Sequence, residues 1–369
     1  MRITWFTGRS LSDLCSTTQI ELATGLVHLG HEVTIINGDT KGNSDGQLWN
    51  HIPLNTSGIR GLQSKILGRS MKKWVTGTQS NSIGFAIVDW KIAGSVVPSL
   101  EQQNTPWILM DRSPPADSNI FAKLQWPSWK RAWRFVRHSD VGRGCVVSNQ
   151  HGLFVQQKTG CQPGKISILN AGVDLNLFKP GKKAQKITLA YHGRVDKNRG
   201  VLALPMLLQK ARSKGIDCNL IIIGEGDAFE GLKRIADADE SFEVVPTLPQ
   251  EKLAERLGGV HIGLLPMPET KVWRIASPLK RSEYMASGLL VFGVDHDGHR
   301  INLDNPQWMN LVPQHDFHTE GCNWLDDLNQ EKMARLSALS RGYAEEHLSW
   351  EKSILTLQDC MLLHPRSPS

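Results

Sequence analysis

Between Ile187 and Asp295 the chain repeats one grammar four times, and that repetition limits its fold more than any other feature. Ile187-Thr188-Leu189-Ala190-Tyr191-His192 is an apolar run of strand length, closed by Gly193-Arg194 and followed by a leucine-rich segment with helical spacing. Asn219 to Ile223 ends in Gly224-Glu225-Gly226 and leads into a helical pattern over Phe229 to Ala238. Val260 to Leu265 precedes a helical stretch from Ala276 to Gly288, and Leu289 to Val294 is the fourth strand. Strands alternating with helices predict an α/β chain with a parallel sheet covered on both faces. In such a sheet, ligands gather beyond the carboxyl ends of the strands.

Those ends carry the polar residues. Arg194 and Arg199 bracket a glycine-bounded turn, where fixed cations and backbone N–H groups suit a diphosphate. Lys280 and Glu283 are three apart, so a helix starting behind Pro278 presents them on one face. A cation for phosphate and a carboxylate for ribose hydroxyls describe a nucleotide site.

The same region resembles the C-terminal half of GT-B glycosyltransferases of the family-4, group 1 type. The matching strings are Gly193-Arg194 with Arg199-Gly200, Gly224-Glu225-Gly226, and Glu283-Tyr284-Met285-Ala286-Ser287-Gly288, in order. The resemblance implies two Rossmann-like, doubly wound parallel-sheet domains facing each other across a cleft. It implies sugar transfer from a nucleotide-sugar to a glycan or lipid-linked acceptor, with retention and without a metal or other cofactor. Two departures stand out. Arg199 replaces the common Lys, keeping the charge but changing its geometry, and Ile275 stands where the common pattern has a Glu eight positions before Glu283. A branch of the family carries Pro-x-Lys-x-x-Glu-Tyr-Met-Ala, which Pro278 to Ala286 follows.

The implied domains are residues 1–175 for the acceptor, 176–345 for the nucleotide-sugar, and a C-terminal helix and tail, 346–369, returning to the first domain. The donor-binding candidates are Gly8, Gly193, Arg194, Arg199, Gly224, Gly226, Lys280 and Glu283. Arg194, Arg199 and Lys280 are also catalytic candidates, because charge develops on the departing phosphate. Gly8 belongs to the loop after the first strand, Arg2 to Phe6, where the resemblance implies donor and acceptor contact; it equally suits a tight turn into the helix Thr17 to Leu29. Asp111 and Arg112 follow the strand Trp107 to Asp111 directly, and Asp111 reads either as catalytic or as a helix cap. Arg9 and Arg112 are placed on the acceptor side.

The formal charge of +6 is uneven. Residues 1–180 hold 19 Lys and Arg against 11 Asp and Glu, whereas residues 181–369 hold 23 against 25. The basic half is not the nucleotide half, which points to a second anionic partner, with a membrane surface or lipid diphosphate foremost. From Ser128 onward Trp129, Trp133 and Val136 share one helical stripe, with Lys130, Arg131, Arg134 and Arg137 around it. This suits a helix lying on an anionic membrane; alternatively the tryptophans pack inward and the cations are solvated. No nucleic-acid module surrounds it.

Residues 41–80 read as a loop facing the acceptor, apart from a basic amphipathic helix over Ile59 to Val75, and 179–186 as a polar linker. The six cysteines form no Cys-x-x-Cys pair, so reduced thiols are expected, with neither zinc site nor disulfide framework. The start enters a strand directly and no run reaches the roughly 18 apolar residues of a membrane span. A cytoplasmic protein, peripheral on the inner membrane face, is the expectation. An epimerase lacks a visible acid/base set, and a nicotinamide oxidoreductase lacks the third glycine after Gly224-x-Gly226. A catalytically degenerate scaffold remains the non-enzyme alternative, favoured by Ile275 and Arg199 and opposed by Arg194, Lys280 and Glu283.

Overall fold

The computed structural model describes residues 1–12, 16–39, 46–56, 62–77, 82–115 and 123–363. Cys15, the beginning of the 59–75 helix and parts of the 41–80 loop lie outside the described residues. The chain divides into two units, Met1–Asn170 with Trp350–Ser369, and Ala171–Ser349.

The first unit holds seven strands: β1 (Arg2–Phe6), β2 (Glu32–Asn37), β3 (Asn50–Pro53), β4 (Phe85–Asp89), β5 (Trp107–Asp111), β6 (Gly142–Val146) and β7 (Ile166–Ile168). They pair in parallel in the order β3-β2-β1-β4-β5-β6-β7. The second unit holds β8 (Ile187–His192), β9 (Cys218–Ile223), β10 (Phe242–Val245), β11 (Ile262–Leu265), β12 (Leu290–Val294) and β13 (Met309–Val312). Their order is β10-β9-β8-β11-β12-β13, again parallel. Counted within each unit, both contain the Rossmann order 3-2-1-4-5-6, whose direction reverses beside the first strand. The switch points are therefore β1/β4 and β8/β11.

The strands predicted from apolar runs are buried on both faces, as helices on either side of a parallel sheet require: Leu189, Ala190, Tyr191, Leu220, Ile222, Leu264 and Phe292 lie in the second core. The polar β3 falls in the stretch where the sequence predicts a loop. It is an edge strand bonded on one side only, to β2, so apolar periodicity does not mark it. The segment 179–186, read as a linker, lies inside the second unit, where Lys183 Nζ donates to the Val260 carbonyl at 2.6 Å.

Tryptophan fills the first core. Trp107, Trp129 and Trp133 are each 0% exposed, and β6 accommodates them with glycines. A β-carbon on Gly142 would lie 2.4 Å from the Trp107 ring, and one on Gly144 2.4 Å from the Trp133 ring. The stripe of Trp129, Trp133 and Val136 on the helix Trp126–His138 thus faces the core. This corrects the expectation that these tryptophans touch a membrane: their apolar area is already covered by protein. Lys130, Arg131 and Arg134 remain exposed on the same helix.

The helix Trp350–Leu362 belongs to the first unit. It packs on the helix Thr17–His28, where a β-carbon on Gly25 would stand 2.0 Å from Ile354 Cδ1.

Candidate functional site

In the second unit the switch point is pried open by one side chain. β8 and β11 pair only at Ile262↔Leu189 and Gly263↔Ala190. Beyond that, the Tyr284 hydroxyl accepts the His192 backbone N–H at 3.3 Å and donates to the Leu264 carbonyl at 3.4 Å. The phenol occupies the place of a ladder hydrogen bond, and its ring requires glycine at 263, where a β-carbon would lie 2.2 Å away. The strands part at their carboxyl ends, and the polar residues collect there.

Lys280 is central among them. It stands in the first turn of the helix Leu279–Ala286, near the positive end of the helix dipole, and is 7% exposed. Its Nζ sits 3.8 Å from the centroid of the Tyr191 ring, and no hydrogen-bond partner meets this buried atom. Burial, reinforced by the charge of Arg199 and opposed by Glu283, pushes the ammonium pKa well below its ordinary value. A buried donor without acceptors is costly, so this amine is poised for an anion.

Around it the predicted residues divide. Glu283 shares the helix face with Lys280, but its carboxylate lies 3.0 Å from His192 Nε2 rather than bonding the lysine. Arg194 and Arg199 converge on Asp196: Arg194 donates through Nε and Nη2 at 3.2 and 3.1 Å, and Arg199 Nε is 3.6 Å away. Burial alone raises the Asp196 carboxyl, but the Arg194 hydrogen bonds, the Asp227 N–H and both guanidinium charges outweigh it and hold the pKa below the usual range. Arg199 also stacks on Trp273, 4.8 Å from the ring centroid. Ile275, where the common pattern has Glu, is 8% exposed.

The glycines line the rim through close backbone approach. Gly193 has φ +108° and Gly224 φ +144°, and a β-carbon on Gly224 would lie 1.8 Å from the Gly193 carbonyl oxygen. At Gly226 a β-carbon would meet the Val195 carbonyl at 2.3 Å. The arrangement is therefore a rim of bare backbone, a dry ammonium, two guanidinium groups tied to one carboxylate and a His–Glu pair. Chemically it fits an anion flanked by hydroxyls. Asp196, His192 and Tyr191 escaped the sequence reading. His192 had a signal, as the last residue of a strand, while Asp196 looked like one more turn residue.

The first unit's carboxyl ends carry different chemistry. Asp111 is sealed, 0% exposed, with its Oδ2 accepting from Trp129 Nε1 at 2.6 Å and Trp133 Nε1 at 2.8 Å, and His151 Nε2 3.3 Å away. Two indoles take up Oδ2, while Oδ1 is buried without a hydrogen-bond partner, and the side chain has no exposed surface. The residue at the switch point is Asp89, at the end of β4, which the sequence reading missed. Its Oδ2 accepts the Thr7 hydroxyl at 2.5 Å. Burial raises its pKa, against the opposing pull of that hydrogen bond and of Arg9 and Arg112. Gly8, next to Thr7, has a β-carbon position no nearer than 3.8 Å to Ile92 Cγ2 and no positive φ, so the turn does not demand glycine.

Two Rossmann-type units in one chain, with these strand orders, constitute the GT-B fold. Among solved structures the chain is similar to sucrose-phosphate synthase from Thermosynechococcus elongatus, at 18% identity and TM-score 0.76, covering 97% of this chain and 98% of that one. It is similar to a glycosyltransferase from Rickettsia africae at 14% identity and TM-score 0.78, covering 99% of each. HepE from Anabaena in complex with UDP matches at 11% identity and TM-score 0.74, covering 98% and 100%. At these identities the likeness is one of fold. No protein-family model and no curated protein sequence matches the chain.

Proposed function

We propose that this protein is a glycosyltransferase that moves a sugar from a nucleotide-sugar donor to a glycan or lipid-linked acceptor, with retention of configuration. The observation that carries the reading is Lys280, a buried ammonium without a hydrogen-bond partner at the carboxyl end of a Rossmann switch point. A diphosphate there gives Nζ its acceptors. Arg194 and Arg199 supply further positive charge as the phosphate leaves, and the developing charge is stabilised by groups already in place. Glu283, steadied by His192, takes the ribose hydroxyls, and Gly193, Gly224 and Gly226 let the donor approach the backbone. The reading requires no metal. That a protein of similar fold, HepE, holds UDP supports it.

On the acceptor side the reading gives Asp89, Thr7, Arg9 and Arg112 to the incoming hydroxyl and its neighbours. An anionic membrane is the proposed surface partner, which would make this a peripheral cytoplasmic enzyme. The helices Gln63–Gly77, Trp90–Gln102 and Trp126–His138 pack side by side. Their exposed faces carry Lys72 and Lys73 on the first and Lys130, Arg131 and Arg134 on the third. The three helices contain one acid, Glu101, which is engaged by Trp107 Nε1 at 2.6 Å and by Ser139. With the tryptophans buried, attraction is electrostatic and screened by salt. No helix among the described residues is long and apolar enough to cross a membrane.

Thermal stabilisation by UDP, GDP and ADP tests the donor site. A shift with one nucleotide, lost in Glu283→Ala and Arg199→Ala, is expected, and no shift with any of the three would favour the degenerate scaffold. Sedimentation with phosphatidylglycerol vesicles, but not phosphatidylcholine, reversed by salt, is expected for the surface.

A further inference from the structure

In the second unit, the loop that leaves β12 carries a buried pair of imidazoles with no part in the chemistry above. His296 and His299 are 3% and 1% exposed and stack with their ring centroids 3.8 Å apart. Each ring gives one nitrogen to a backbone carbonyl: His296 Nε2 lies 3.2 Å from Met267 O and His299 Nδ1 2.7 Å from Val294 O. A carbonyl only accepts, so those nitrogens carry the protons. The opposite nitrogens, His296 Nδ1 and His299 Nε2, are buried and meet no hydrogen-bond partner. The geometry thus fixes both tautomers and keeps both rings neutral, because a second proton on either ring would be a buried donor without an acceptor.

The loop also braces the donor site. A β-carbon on Gly298 would lie 1.9 Å from the Trp273 carbonyl oxygen, so the loop packs directly on the segment whose indole stacks on Arg199. Arg281, the chain neighbour of Lys280, donates from Nη1 to the carbonyls of Gly298, at 3.1 Å, and Arg300. The carboxylates that act on the pair are already engaged. Arg300 holds both oxygens of Asp295 at 2.8 Å, Arg274 and Arg300 hold Asp297 at 3.2 and 3.3 Å, and Glu269 lies 3.6 Å from Arg274. An imidazolium here would add to the positive charge of Arg281 and Lys280 with those carboxylates already paired.

We propose that His296 and His299 form an acid-operated latch: while both rings are neutral the loop from Asp295 to Arg300 stays closed on the donor site, and protonation of the pair drives it open and releases the donor. What is released rests on the donor reading above, whereas the opening of the loop does not. Burial is the main cause that holds both imidazole pKa values down. At His299 it is reinforced by His296, Arg281 and Lys280 against the Val294 bond, and at His296 it outweighs the Met267 bond and the three carboxylates. The closed loop is therefore fully stabilised above the ordinary value of 6.5 and loses that stability as pH falls from there toward the depressed values. The loss reaches up to about tenfold per pH unit for each proton taken up.

The experiment follows hydrogen exchange of the loop after β12 in the nucleotide-free full chain at about pH 7.5 and about pH 5.5, corrected for the intrinsic rate and with β1 as internal reference. Protection of the loop is expected to fall at least about tenfold at the lower pH while β1 holds. The double variant His296→Gln, His299→Asn keeps an amide N–H for each carbonyl and cannot titrate, so its loop is expected to stay protected at both pH values. Equal protection at both pH values in the wild type, or the same loss in the double variant, would overturn the proposal. Should the variant fold poorly, nitrogen NMR of the wild-type imidazoles decides. His296 is expected as the Nε2–H tautomer and His299 as the Nδ1–H tautomer until the loop opens, and rings that become charged while the loop stays protected would overturn the latch. The nucleotide bound at the higher pH is expected to be lost at the lower one by the wild type and kept by the double variant. Retention by a wild type whose loop has opened, or loss by both proteins, would overturn the link to the donor site. No nucleotide bound at either pH would count against the donor reading, and the exchange measurement would still decide the latch.

Discussion

The two switch points have the same strand order and opposite chemistry. At β8/β11 the buried group is a cation, Lys280, left without a hydrogen-bond partner and with the Arg199 guanidinium near it. At β1/β4 it is a carboxyl, Asp89, held by Thr7 with Arg9 and Arg112 near it. Burial moves both pKa values toward the neutral form, down for the lysine and up for the aspartate. The fold therefore fixes where functional groups gather, and the individual side chains fix which ligand charge each place accepts. Asp111, one strand further on and more deeply buried, shows a contrast: two indole donors take up its Oδ2, with an imidazole nitrogen 3.3 Å away, while its Oδ1 has no hydrogen-bond partner.

The sharpest way to break this comparison is to remove the unpartnered cation. Lys280→Ala is expected to cost about 100- to 1000-fold in turnover and in affinity for the donor nucleotide, the range for losing one preorganised charge stabiliser. The melting temperature of the free protein should stay level or rise, since the substitution deletes a desolvated ammonium. Calorimetric titration beside a melting curve checks both; a variant that still binds nucleotide normally would remove Lys280 from the site.

The next largest effect belongs to stability. Asp111→Ala strips the acceptor from two buried indole N–H groups and is expected to destabilise the first unit by about 2–4 kcal/mol. Chemical denaturation followed by tryptophan fluorescence measures it, since Trp129 and Trp133 report directly. Asp89→Asn is expected to do the reverse: little loss of stability, donor affinity unchanged, and turnover down about 10- to 100-fold. If instead Asp111→Asn slowed turnover in a fully stable protein, the division between structural and functional carboxylates would be wrong.

Much of this was legible in the residues, for identifiable reasons. The β8, β9, β11 and β12 runs are largely buried, so their apolar pattern has one reading, and the three-residue spacing of Lys280 and Glu283 fixes a shared helix face with Pro278 as the start. The helix Trp126–His138 was ambiguous because periodicity gives a stripe without saying what it faces. Gly142 and Gly144 on β6, which make room for Trp107 and Trp133, were the only local hint. The indole partners of Asp111 were not legible because they are 18 and 22 residues away in sequence. Asp89 escaped for a similar reason, as its partner Thr7 is 82 residues distant.

The smallest effect separates the two switch points most cleanly, because it depends on the sign of charge rather than on size. The Lys280 pKa is depressed in the free protein, and a bound diphosphate must raise it by favouring the ammonium. Donor binding therefore takes up a proton wherever the free amine is neutral and the bound one charged, and affinity falls as pH rises through that window, by up to about tenfold per pH unit. A nucleotide-sugar is the right probe, because its diphosphate has no terminal group titrating near neutrality, whereas a free nucleoside diphosphate adds its own proton. Calorimetry in buffers of different ionisation heat should show uptake for the wild type and none for Lys280→Met. Asp89→Asn should leave the uptake intact, since its carboxyl belongs to the other switch point. Equal uptake in wild type and Lys280→Met would mean that another group is charged by the donor, with Lys280 a packed core residue.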